Sequence, residues 1–288
     1  MIKFYATIDV DSVRPYMPKV PVMLPASSWA RKGMPPPKLP AHITERAADC
    51  GGFVATKVWG GYRYTPQQYV DWLSTWEPQW AATMDFCCED ELTAGRPGLV
   101  RYRQERTTEM AWTFWEKHRR VPWAWAPTVQ GWKIEDYRFH ARQLHPLLEA
   151  MKAHYGNNSF WRVGIGTLCR RVSATLIWEI VSTVSYELPG IPLHLWGVKL
   201  AVLKSHIALP KEVVSVDSAA WNGFFGRGHE KRRQSLLTKR EYAYQVALPE
   251  YLKKVSMATS VPKQIKMFFP MEEDVKEDTK EVFDDIKT

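Results

Sequence analysis

Short apolar runs that stop on an acid, an amide or a glycine recur along this chain, with longer amphipathic stretches between them. Ala47-Ala48 runs into Asp49-Cys50-Gly51-Gly52-Phe53, and Trp80-Ala81-Ala82-Thr83-Met84 into Asp85. Trp123–Val129 stops on Gln130-Gly131, Trp161–Ile165 on Gly166, and Leu193–Trp196 on Gly197. The β-branched run Val213–Val216 stops on Asp217, then passes into small residues, Asn222-Gly223 and a glycine-punctuated basic loop. Such runs read as buried strands. The intervening stretches Pro66–Trp76, Tyr102–Arg119, Ile134–Tyr155 and Ser173–Leu188 read as helices, and Ala201–Ile207 as a short one. Run ends at 49, 85, 130, 166, 197 and 217 leave gaps of 36, 45, 36, 31 and 20 residues. All but the last hold the roughly 30 residues of a strand–helix–strand unit. Residues 1–28 add a strand over Lys3–Asp9 and an edge or irregular strand over Val20–Leu24, which contains Pro21. This rhythm predicts an α/β fold, a (β/α)8 TIM-type barrel with irregularities. An open doubly wound sheet is the alternative, without its dinucleotide-binding version, because no G-x-G-x-x-G follows a strand.

Composition refines the picture. The 288 residues suit one large domain, expected over 1–258, followed by a C-terminal segment, 259–288. Met271–Thr288 holds eight acids against three lysines, a net of −5, so the remainder exceeds the chain's +8 by five. A basic body suits a polyanionic partner. Aromatics reach 13% with 14 tryptophans, and Trp123 and Trp125, two apart, share one face that reads as core. No signal peptide or membrane-length apolar run is present in the sequence, and the four cysteines form no disulfide framework. Together these favour a reducing cytoplasm and no membrane partner.

In a barrel, the C-terminal strand ends meet at one mouth. Asp49, Asp85, Gln130, Gly166 and Asp217 would converge there. Three carboxylates around a pocket can divide the roles of nucleophile, general acid/base and reader of polar edges. An aspartate pair also serves glycosidic cleavage with retention. A capping aspartate at each strand end is the plainer reading. Cys87-Cys88 lacks tetrahedral ligand spacing and reads as pocket-wall thiols, and the histidines show no metal pattern, so no metal or cofactor is expected. Arg170-Arg171 either grips a phosphate or solvates a helix start. Arg227, Lys231, Arg232, Arg233, Lys239 and Arg240 read as contacts to a nucleic-acid backbone.

Asp49-Cys50-Gly51-Gly52-Phe53 resembles the Asp-Ser-Gly-Gly-Phe signature of tRNA-guanine transglycosylases. Met84-Asp85, Val129-Gln130-Gly131, Gly164-Ile165-Gly166, Trp196-Gly197-Val198 and Val216-Asp217 follow in that family's order, over roughly Arg46 to His229. The compact length is most similar to the DNA-directed, DpdA-like branch, which places 7-deazaguanine bases in phage or bacterial DNA. The resemblance implies that Asp217 attacks C1′ and expels guanine, and that Asp49 serves as general acid/base. It implies that Asp85, Gln130, Gly131 and Gly166, with Gly52 and Phe53 of the signature, hold a guanine-like or preQ0-like base. DNA with a flipped guanine is then the partner, in a bacterial or phage-infected cell. The sequence departs from the tRNA enzymes in lacking their zinc subdomain, since no cysteine follows Cys169. Cys50 replaces the signature serine, Val54 the following glutamine, and Ser218–Trp221 differs from the usual run. A tRNA-guanine transglycosylase and a silent nucleic-acid-binding barrel are the alternatives.

Overall fold

A computed structural model of the chain describes residues 2–222, 231–260 and 263. Nine strand segments make one sheet: β1 (Lys3–Thr7), β2 (Val22–Pro25), β3 (Arg46–Asp49), β4 (Trp80–Ala82), β5 (Ala124–Ala126), β6 (Thr128–Val129), β7 (Val163–Ile165), β8 (Leu193–Leu195) and β9 (Val213–Ser218). Their order is β5-β4-β3-β2-β1-β9-β8-β7-β6, with every pairing parallel. The two ends of that order, β5 and β6, are consecutive in the chain with only Pro127 between them. The sheet therefore curls round on itself into a nearly closed barrel with one seam. Ala126 offers its carbonyl to Thr83 on the β4 side, and Pro127 its carbonyl to Gly164 on the β7 side. Proline has no N–H to add to the ladder, which is why the segment divides there. Counted as one interrupted strand, residues 124–129 bring the number to the eight expected of a (β/α)8 barrel.

Helices alternate with the strands: α1 (Ala26–Ala30), α2 (Gly52–Lys57), α3 (Pro66–Trp76), α4 (Asp90–Thr93), α5 (Pro97–His118), α6 (Ile134–Tyr155), α7 (Ala174–Glu187) and α8 (Leu200–Leu203). After the gap in described residues come α9 (Lys239–Tyr242), a π-helical turn (Ala243–Ala247) and α10 (Leu248–Ser260). Local chemistry sets their starts. Thr65 and Gln68 form a reciprocal capping box with Pro66 at the first helical position of α3, and Ser173 caps α7. Helix α5 begins at Pro97, five residues before the expected Tyr102, because an N-terminal proline starts the helix earlier. Of the two expectations for Val20–Leu24, an edge strand or an irregular one, the edge position is corrected. Strand β2 lies between β1 and β3, and Pro21 sits just ahead of it, giving only its carbonyl to Ala6. The missing N–H falls before the ladder begins, so proline does no harm there.

Large rings fill the barrel because its neighbours in β3, β4 and β5 are alanines. Trp80 of β4 meets Tyr5 of β1 at 5.3 Å and His194 of β8 at 4.9 Å between ring centroids. These strands are not neighbours in the sheet, so the contacts span the barrel interior. Trp125 instead packs against Phe114 and Tyr69 of the outer helices, and Trp123 is buried beside it. No helix among the described residues is long and apolar enough to cross a membrane.

Candidate active site

A cavity of about 150 Å³ opens at the C-terminal ends of the strands, lined by Asp49, Gly52, Phe53, Asp85, Cys87, Glu89, Gln130, Gly166, Thr167, Cys169, Trp196, Gly197 and Asp217. Seven of the residues expected at the mouth thus meet in one place. It is smaller than the roughly 300–1,000 Å³ of drug-sized pockets, a size suited to one flat ring system.

Asp217 is the penultimate residue of the longest strand, β9, and is 6% exposed. Its Oδ2 accepts from Thr7 Oγ1 at 2.5 Å. Its Oδ1 accepts from the Gly197 N–H at 2.7 Å and faces His194 Nε2 at 3.3 Å. Donors from β1, from the loop after β8 and from β8 itself therefore fix this carboxylate from three sides. Oδ2, with a single donor, keeps a lone pair free for chemistry.

Asp49, at the end of β3, is partly open to the cavity and accepts the Gly51 N–H at 3.1 Å. Burial pushes its carboxyl up to about 7, helped by the negative charges of Asp85 and Asp217 and opposed by the Gly51 N–H. A carboxyl poised there can give a proton or take one at neutral pH.

Asp85 lies three residues past the end of β4. Its Oδ1 accepts the Cys50 thiol at 3.2 Å and its Oδ2 the Gln130 amide at 2.7 Å. Burial raises its carboxyl above the ordinary range, against the pull of those two donors. The thiol of Cys50 thus does here what a serine hydroxyl would do. Tyr62 clamps the same residue, its hydroxyl donating to the Asp85 carbonyl at 2.8 Å and accepting the Asp85 N–H at 3.0 Å.

Gln130 is held from every side. Its amide N–H₂ points to Asp85, and its Oε1 accepts from Thr167 Oγ1 at 2.7 Å. Behind it, the Gln130 N–H donates to His140 Nδ1 at 2.8 Å and the Gln130 carbonyl accepts from Gln104 at 2.7 Å. Burial pushes His140 down to about 3, so it stays neutral and its Nδ1 remains an acceptor. Thr167 holds this geometry at φ +64°, an uncommon conformation for a residue with a Cβ. A Cβ on Gly166 would come within 2.5 Å of the Gln130 amide, and one on Gly52 would overlap Asp85 Oδ1. Only glycine lets the backbone approach so closely.

Gly131 does not line the cavity. It packs on the start of α6, where a Cβ would meet Asp136 Cβ and the Tyr137 nitrogen, both at 2.9 Å. Phe53 faces the cavity with the Arg170 guanidinium 4.3 Å over its ring. Arg170 also pairs with Glu91 at 3.7 Å, and Glu91 with Lys57 at 2.9 Å, tying α2, α4 and the loop after β7 together at the rim. Arg171 differs from its neighbour. It is buried, bonded to the Trp132 carbonyl and stacked 3.8 Å over the Trp132 ring, so the expected phosphate contact does not fit its position. Lys231 and Arg233 are exposed and Arg232 half-buried, while Arg227 lies outside the described residues. Among the described residues, no group of three or more histidine, cysteine, aspartate or glutamate side chains is arranged to hold a metal.

Sequence reasoning passed over several partners. Thr7, Gln104, His140, Thr167 and His194 sit in runs that look merely structural. Glu89, 1% exposed, also lines the cavity with Oε2 unpartnered among the described residues. The available signal was the polar residue at an inward strand position, which must find a partner when buried.

A parallel α/β barrel with three aspartates and a clamped glutamine at its C-terminal mouth is an enzyme scaffold of the TIM type. The chain belongs to the DpdA family, DeoxyPurine in DNA protein A, whose model matches residues 20–230. Membership implies a transglycosylase that modifies DNA. No curated protein matches the chain.

Proposed function

We propose that this protein exchanges a guanine in DNA for a 7-deazaguanine base of the preQ0 type by double displacement. The observation that carries the reading is the unequal treatment of two carboxylates on one cavity. Asp217 is fixed by three donors, whereas Asp49 is more lightly held and raised by burial to about 7. Asp217 Oδ2 attacks C1′ as the C1′–N9 bond breaks, and guanine leaves with the bonding pair. The resulting deoxyribosyl ester is then attacked by N9 of the incoming base, whose proton passes to Asp49 as Asp217 is released.

Asp85 and Gln130 supply the edge recognition. A carboxylate accepts from neighbouring N–H groups of a guanine-like base, and the amide reads the carbonyl side. The cavity admits a base and not a base pair, so the target nucleotide leaves the stack first. Phe53 under Arg170 gives the mouth a flat cationic edge beside the phosphates, while Lys231, Arg232 and Arg233 add backbone contacts. An acidic cavity within a basic rim repels the phosphates from the centre and leaves the neutral base to enter.

The test is incubation with labelled guanine, or a labelled 7-deazaguanine, and either duplex DNA or tRNA. Label is expected in DNA. Incorporation into tRNA alone would reverse the substrate assignment, and no incorporation into either, with DNA binding intact, would favour a silent binding barrel.

A further inference from the structure

A file of buried polar side chains runs up the barrel interior beneath Asp217, and the exchange described above uses only its last member, His194. It starts at Arg162, ahead of β7, whose side chain is 2% exposed. Arg162 Nη1 donates to Ser215 Oγ at 2.7 Å. Ser215 Oγ lies 2.9 Å from His194 Nδ1, and His194 Nε2 lies 3.3 Å from Asp217 Oδ1. Ser215 and Asp217 are two apart on β9 and so point to the same face, the interior.

The bond directions follow from the two ends of the file, a guanidinium that only donates and the Asp217 carboxylate, which accepts. A guanidinium has only donors, so Ser215 Oγ must accept from Arg162. At the other end His194 Nε2 must donate to the Asp217 carboxylate, which leaves Nδ1 of a neutral ring as the acceptor for the serine proton. With that lone pair occupied, a neutral imidazole carries its proton on Nε2, which faces Asp217. Burial holds His194 below its ordinary range, in keeping with a neutral ring. The ring cannot turn away, because Trp196 and Trp80 lie 4.3 Å and 4.9 Å from it and Tyr5 lies 6.1 Å away. Arg162 is itself pinned, donating to the Phe160 and Ser159 carbonyls at 3.0 and 2.9 Å and lying 4.7 Å from the Trp80 ring.

We infer that Arg162, Ser215 and His194 form a one-way positioning relay that locks His194 as the Nε2–H tautomer and so aims Asp217 at the sugar. The inference rests on the reading of Asp217 as the nucleophile. A donor on Oδ1 that cannot become an acceptor keeps Oδ2 as the attacking atom. The same donor steadies the carboxylate as it departs from C1′ in the second displacement. His194 touches no substrate in this scheme and is a positioning residue.

Two measurements test it, one independent of activity. In protein labelled with ¹⁵N-histidine, the His194 signals, identified by their loss in His194→Gln, are expected to report the neutral Nε2–H tautomer. In Ser215→Ala, which disconnects Nδ1 from Arg162, they are expected to report a mixture. In single-turnover formation of the covalent DNA adduct, Ser215→Ala should fall about tenfold and His194→Leu about 100-fold, with DNA affinity unchanged. His194→Gln, which can still donate to Asp217, should recover most of the rate. A Nδ1–H or charged His194 in the wild type would overturn the relay. So would adduct formation at the wild-type rate in both Ser215→Ala and His194→Leu. Should His194→Leu not fold, the tautomer and Ser215→Ala measurements still decide. Failure of the nucleophile assignment is recognised separately, by an adduct that persists in Asp217→Asn.

Discussion

Glu89 offers a measurement in which the size and sign follow from position alone. It precedes α4, its side chain is 1% exposed, and Oε2 finds no hydrogen bond among the described residues. Burial lifts its carboxyl from 4.5 to about 7, the negative charge of Asp85 raising it further and the positive charge of Arg170 lowering it. A carboxyl raised on folding binds its proton more tightly in the native state. Its contribution to stability is therefore complete below about pH 4.5 and is lost as pH rises through 7. At about 1.4 kcal/mol per pH unit, the interval from 4.5 to about 7 corresponds to about 3 kcal/mol. Glu89→Gln keeps the shape and removes the titration. Urea unfolding of both proteins across this pH range should show the variant gaining on the wild type by about 3 kcal/mol between pH 4.5 and 8. Asp49 and Asp85 titrate in both proteins, so to first order they cancel in the difference. A difference that stays flat would show that Glu89 carries no such shift. A difference of opposite sign would show that it is ionised and paired in the fold.

Gly52→Ala should force Asp85 aside, since the added Cβ overlaps Oδ1 and reaches 3.0 Å from the Tyr62 hydroxyl. A displacement near 1 Å is expected to cost about 100-fold in exchange, with circular dichroism unchanged. Arg170→Ala should lower DNA affinity and reduce the slope of log K against log salt by about 1. Arg171→Ala should leave that slope alone and lower the melting temperature, because its guanidinium is bonded to and stacked on Trp132.

Arg170 and Arg171 also show what a sequence hides. They are adjacent, identical in chemistry and at the same strand end, yet one covers Phe53 at the rim and the other is buried. That outcome depends on the loop's path, which pairwise composition does not encode. The barrel was more legible, because each strand buries a short apolar run and hands the chain to a polar residue at its C-terminal end. Asp49, Asp85, Gln130 and Asp217 were readable for that reason. His194 was not, since within Leu193-His194-Leu195 a lone histidine reads as a core residue. Its meaning comes from Arg162 and Ser215, which are distant in sequence and meet it only across β7, β8 and β9. Pro21 and Pro127 misled or were silent for a related reason. A proline's effect depends on whether its missing N–H falls inside a ladder or just outside it, and that is a matter of register.

The two aspartates assigned to separate steps can be told apart by what each variant leaves behind. In Asp217→Asn the side-chain oxygen can still accept from Gly197 and His194, and the new amide can donate to Thr7, whose hydroxyl is able to accept. Shape and DNA binding should survive while the attacking oxygen is lost, so exchange and adduct both vanish. Asp49→Asn keeps an acceptor for the Gly51 N–H and leaves Asp217 untouched. The first displacement should then proceed, whereas the incoming base has nowhere to send its proton, and the deoxyribosyl ester should accumulate. Denaturing gels after incubation with DNA should show a slower band for Asp49→Asn and none for Asp217→Asn. A slower band that persists in Asp217→Asn would mean that another residue attacks C1′. Full exchange in both variants would mean that this cavity is not where the base is replaced.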